Sequence, residues 1–84
     1  MKQYKVEVRV TPREGLLDPQ GKAVEHALHQ LDFSGAERVR VGKLVHFLLH
    51  ADGDDDARAR ADDMCRKLLA NPVTEDYTIT LSVD

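Results

Sequence analysis

Asp18-Pro19-Gln20-Gly21-Lys22-Ala23-Val24 separates a strand-like run that ends near Thr11 from a helical run that ends near Leu31. Asp18 suits a helix N-cap, where its carboxylate can accept from the free amides of the first turn. Pro19 suits the first helical position, where a missing N–H costs nothing. Gly21 is the anomaly. Glycine inside a first turn costs about 1 kcal/mol against alanine. Close approach of another backbone or chain at this turn would account for it, against plain tolerance of a weak residue.

Working outward, Tyr4, Val6, Val8 and Val10 alternate with Lys5, Glu7, Arg9 and Thr11. A period of two with one apolar face predicts a half-buried strand. Pro12 to Leu17 reads as a loop broken by Pro12 and Gly15. Ala23, Val24, Ala27, Leu28 and Leu31 recur at helical spacing, leaving Lys22, Glu25, His29 and Gln30 for solvent. Arg38 to His50 reads as a hairpin, with Val39 and Val41 in the first arm. Gly42 would take the positive φ of its tight turn. Asp52 to Asp56 is an acidic break before a second apolar stripe of Ala57, Ala61, Met64, Cys65, Leu68 and Leu69. Asn71-Pro72 stops that helix, because the residue before proline avoids helical geometry. Tyr77, Ile79, Leu81 and Val83 alternate in a last strand.

The order is β-α-β-β-α-β in a single domain spanning 1–84. It predicts an α+β fold, two helices on one face of a four-stranded antiparallel sheet. The other face of the first and last strands carries Lys5, Glu7, Arg9, Thr78, Thr80 and Ser82. On the strand expected at the centre it carries Leu44, His46, Leu48 and His50, while Val45, Phe47 and Leu49 face the helices. An apolar strip in a polar surround suggests contact with another chain.

The chain has 84 residues and a formal net charge of -3. A chain this short buries roughly 60% of its unfolded surface, which leaves little room for an internal active site. Its acidity lacks the electrostatic footprint of a nucleic-acid binder. The positions where an RNA-binding fold of this order would stack bases hold Lys5, Glu7, Arg9, His46 and Leu48, none aromatic. No apolar run approaches the roughly 20 residues that span a bilayer. The start enters alternation at once, unlike a signal peptide. Cys65 is the only cysteine, which favours a reducing, cytoplasmic setting.

Catalytic and metal patterns fail in turn. The acids from Asp52 to Asp56 have the wrong glycine placement for a calcium loop and suit a helix N-terminus instead. His46 and His50 on a strand lie about 13 Å apart, too far to share an ion. His26 and His29 lack a third ligand, and Cys65 reads as a small core hydrophobe. Gly42-Lys43 lacks the rest of a phosphate loop. Arg38, Arg40 and Lys43 place three positive charges around one turn, which are either solvated or able to dock an acidic partner or a phosphorylated ligand.

Three stretches together resemble the PurS family: Asp18-Pro19-Gln20-Gly21-Lys22-Ala23-Val24, Val39-Arg40-Val41-Gly42-Lys43, and Cys65-Arg66-Lys67-Leu68-Leu69-Ala70-Asn71-Pro72-Val73-Thr74-Glu75-Asp76-Tyr77. The loop Thr11-Pro12-Arg13-Glu14-Gly15-Leu16-Leu17 is also similar. The strand Leu44 to His50 is more apolar than is usual in that family. The resemblance implies a ferredoxin-like variant that dimerises through its sheets, with a dimer of dimers open. It implies a small subunit of bacterial phosphoribosylformylglycinamidine synthase, in de novo purine synthesis. There a glutaminase subunit, PurQ, releases ammonia, and a large synthetase subunit, PurL, uses it with ATP and Mg. The small subunit would bridge the two and assist ammonia transfer, with no active site or cofactor of its own. Gln20, Gly21, Lys22, Arg40, Gly42, Lys43, Asn71 and Pro72 are then candidates for partner contact, and Leu44, His46, Leu48 and His50 for the dimer interface. The competing reading is a regulatory module of the same topology that binds a small metabolite.

Overall fold

The computed structural model describes residues 2–15 and 18–83. Strand β1 (Lys2–Pro12) leads to helix α1 (Pro19–Gln30), strand β2 (Lys43–Ala51), helix α2 (Asp54–Met64) and strand β3 (Glu75–Val83). The loop expected over 12–17 is described as far as Gly15; Leu16 and Leu17 lie outside the described residues.

The three strands form one antiparallel sheet in the order β2-β1-β3. Its register aligns the apolar alternation of all three. Val6 lies between Phe47 and Leu81, and Val8 between Val45 and Ile79. The first strand therefore carries the core: Tyr4, Val6, Val8 and Val10 are each at most 2% exposed. Helix α2 closes this face with Ala57 and Ala61, and Cys65 just beyond its end adds to them, all buried. Side chains this small let the helix backbone come close to the sheet. Two tyrosines fasten it there. The Tyr4 hydroxyl donates to Asp54 Oδ1 at 2.9 Å, and the Tyr77 hydroxyl to Asp62 Oδ1 at 2.5 Å. Gly53 begins α2 without a side-chain cap, and Asp54, Asp55 and Asp56 fill its first turn, where negative charge suits the helix dipole.

The sheet has three strands where four were expected, and Arg38–Gly42 forms no strand among the described residues. Strand β2, which carries the Leu44–His50 run expected at the centre, is consequently an edge, and β1 is the centre. The reason lies in where the backbone amides go. Val39 N–H donates to Glu25 Oε1 at 3.1 Å and Val41 N–H to Asp18 Oδ2 at 3.0 Å. Carboxylates from α1 and its cap take the donors that a strand ladder would have used. Gly42 has no positive φ and turns no hairpin; a Cβ there would strike the Val10 carbonyl oxygen.

The expectation of two helices on one sheet face also fails within the protomer. Among the described residues, α2 is the helix packed on the sheet, and the one buried residue of α1 is Gly21. Val24, Leu31 and Phe33 remain exposed, and the molecule is elongated, 51 × 26 × 14 Å. The second helical stripe ends early for a different reason. From Cys65 to Leu69 the chain widens into a π-helical turn, closed by Ala70 N–H donating to Cys65 O at 2.9 Å. The wider turn shifts the phase of the stripe, and Leu68 is left 81% exposed.

Candidate partner-contact site

The turns singled out in the sequence gather at the end of the sheet where β1 finishes and β2 and β3 begin. Two residues of β1 and its exit join them. Arg40 Nη1 donates to Pro12 O at 2.9 Å, and Arg13 Nη2 to Pro72 O at 2.6 Å. Arg13 also pairs with Asp76 at 3.2 Å, while its amide donates to Thr74 O at 2.9 Å.

Gly21 meets its explanation here. A Cβ on it would collide with the Val39 carbonyl oxygen and lie 2.5 Å from Asp18 Oδ2. Another backbone does approach this turn, and it belongs to the same chain. The strap 38–41 runs across the start of α1, held by the two carboxylate contacts. Asp18 thus serves the strap, and no side-chain cap bond closes on the helix. Its carboxyl is still held below the usual range, chiefly by the Val41 amide and then by the nearby amides of Gly21 and Gln20, against the opposing effect of burial. Arg38 sits on the strap at φ 58, a left-handed conformation that side chains other than Gly, Asn and Asp rarely adopt.

Asn71 and Pro72 have structural work. Asn71 Oδ1 accepts from Val73 N–H at 3.0 Å, and Asn71 N–H donates to Glu75 Oε1 at 2.7 Å. These bonds close the turn into β3 and account for asparagine there. Gln20, Lys22 and Lys43 are exposed. Leu44, His46, Leu48 and His50 occupy a single sheet face, opposite α2. Leu44 is 51% and Leu48 56% exposed, and His46 Nε2 lies 3.9 Å from Glu7 Oε1. Cys65 is buried, and burial pushes its thiol up, the wrong direction for a nucleophile.

Sequence reading assigned Glu25 to solvent and missed its hold on the strap. The signal was its spacing: Asp18 and Glu25 stand seven residues apart, two helical turns, on one side of α1. Arg13 gave no signal, since its partners lie about sixty residues away in the chain.

Two outcomes test this geometry. Gly→Ala in a helix ordinarily stabilises by about 1 kcal/mol. Gly21→Ala is expected to destabilise by about 1–3 kcal/mol in urea unfolding, because the strap must shift to admit the methyl group. Gly35→Ala, which meets open space, is the control. The second outcome concerns acid. Asp18's carboxyl is depressed in the folded state, so its stabilisation is complete above the unfolded value of about 3.9 and is lost as pH falls through the lower folded value. The Tm gap between wild type and Asp18→Asn should be widest above about pH 5 and narrow as pH falls below the unfolded value of about 3.9. A constant gap would contradict the assignment.

Known proteins share this fold. The family model for PurS, phosphoribosylformylglycinamidine (FGAM) synthase, matches residues 5–83. The Bacillus subtilis phosphoribosylformylglycinamidine synthase subunit PurS is 46% identical over 74 residues, covering 88% of this chain and 87% of the relative. A crystal form of Bacillus subtilis PurS superposes with a TM-score of 0.82 at 43% identity, covering 94% of this chain and 98% of that one. A chain in the structure of PurLQS from Thermotoga maritima superposes at 0.85 with 28% identity, covering 98% of this chain and 100% of that one. The chain belongs to the PurS family of FGAM synthase subunits.

Proposed function

We propose that this chain acts as a non-catalytic bridge in a cytoplasmic FGAM synthase, joining the glutaminase PurQ to the synthetase PurL and helping ammonia pass between them. The observation that carries the reading is the match along the whole chain to a component of the Thermotoga maritima PurLQS structure. The physical need is clear. Free ammonia is mostly protonated near neutral pH and diffuses away, whereas holding donor and acceptor sites together raises its effective concentration. ATP and Mg belong to the large partner in this scheme, and the chain supplies shaped surfaces. The turn holding Gln20, Gly21 and Lys22, the strap end with Arg40, Gly42 and Lys43, and the turn at Asn71 and Pro72 share one end of the sheet and serve as the contact surface. No comparable observation supports a metabolite-binding regulatory module.

The chain works as a homodimer on this account. An isolated helix shorter than about 12–15 residues is marginal in water. Helix α1 has 12 residues and lays no face on its own sheet. Its exposed Val24, the neighbouring Leu31 and Phe33, and the open edge of β2 all await cover. A second copy provides it, with the Leu44–Leu48 strip as the sheet contact.

Two measurements test these proposals. With ATP or ADP and glutamine present, the purified chain should co-elute with both partner subunits; separate elution of all three would refute the bridge. Leu48→Asp buries an unpaired charge at the strip and should halve the mass seen by light scattering. An unchanged mass would remove the strip from the interface.

A further inference from the structure

Beside the clasp of α1 and the strap lies an open cleft of about 550 Å³, lined among others by Lys22, Arg38 and Arg40. Elsewhere the protein spends many of its cations on its own carboxylates: Arg9 on Glu7, Arg13 on Asp76, Arg60 on Asp56, and Arg66 and Lys67 on Asp63. Among the described residues, Lys22 and Arg38 have no such partner, and neither has Lys43 just beyond Gly42. Arg40 uses one guanidinium nitrogen on Pro12 O and lies close enough to Asp18 to lower its pKa. Glu14, Asp18 and Glu25 line the cleft too. Asp18 and Glu25, however, each commit an oxygen to a strap amide.

The backbone that carries two of these cations is also held in place before any partner arrives. The strap that carries Arg38 and Arg40 is fixed by the two carboxylate contacts and by the Pro12 carbonyl. Arg38 is kept in a left-handed backbone conformation, φ 58, which costs about 1–3 kcal/mol at a residue other than glycine. Glycine would fit there without strain. Guanidinium groups bind carboxylates through paired, geometrically specific hydrogen bonds, and preorganised donors lose less entropy on binding.

We propose that this cleft receives carboxylate side chains of an acidic segment on one of the two partner subunits, with Arg38 and Lys22 as the residues that grip it. The proposal rests on the bridging role and gives that role a chemistry. The test is co-elution with both partners across a salt series, for wild type and for the double variant Lys22→Glu with Arg38→Glu. Neither residue has an internal partner to lose, so circular dichroism and dimer mass should hold. The double variant should weaken the complex by at least about tenfold, and the wild-type complex should weaken with salt. Arg38→Gly is the second variant. It should raise Tm by relieving the left-handed strain and still weaken the complex, a pairing that a purely structural arginine would not give. If the wild-type complex forms and both variants bind as tightly, the cleft is overturned and the bridge stands. If no wild-type complex forms, both fall. If wild-type binding weakens in phosphate but not in chloride of equal ionic strength, the cleft is a phosphate site and the proposed carboxylate grip is wrong.

Discussion

Two carboxylates on one side of α1 set the shape of this protein. Asp18 and Glu25 accept the amides of Val41 and Val39, and those amides are then unavailable to a sheet. The strap cannot fold back as a fourth strand while it is held there, so the sheet stops at three. The same contacts place Gly21 directly beneath the Val39 carbonyl. A residue that looks like a weak point in a helix is a condition of the clasp. Buried donors are rarely left unpaired, and here side chains do the pairing that backbone usually does.

The consequence is a protomer with a finished half and an open half. On one side, β1 runs between two partners and its apolar face is sealed by α2, with tyrosine hydroxyls pinning that helix to the sheet. On the other, α1 and the segment after it extend away with apolar side chains uncovered. A helix of this length gains most of its stability from packing. The open half therefore gives a physical reason for assembly, and the rigid half supplies a stable platform for three turns at one end. Division of labour of this kind suits a subunit that offers surfaces and makes no bonds.

Much of this was legible in the sequence. The alternation in β1, β2 and β3 predicted both sheet faces, and the register confirms that Leu44, His46, Leu48 and His50 share the exposed one. The glycine at position 21 left a close approach and plain tolerance both open, and the Val39 carbonyl decides for the approach. What escaped was non-local. Val39 and Val41 alternate like a strand, and periodicity reports which side chains are apolar without saying which groups take the amides. Gly42 invited a hairpin through its conformational freedom, whereas its role is to let the Val10 carbonyl pass. The π-helical turn at Cys65 broke a stripe that helical spacing would have continued to Leu68. The ties from Arg13 to Pro72 and Asp76 join distant parts of the chain that no local pattern links. The candidate contact residues were found as turns, but their gathering at one end of the sheet came only with the topology.

On the proposed function, this chain serves transfer between two enzymes and takes no part in the chemistry. The most direct measurement compares two rates of amidine formation by the synthetase, one driven by glutamine through the glutaminase and one by added ammonium, each with and without this chain. Dependence on the chain for the glutamine-driven rate, with the ammonium-driven rate indifferent to it, is the predicted result. Equal glutamine-driven rates in its presence and absence would contradict the account.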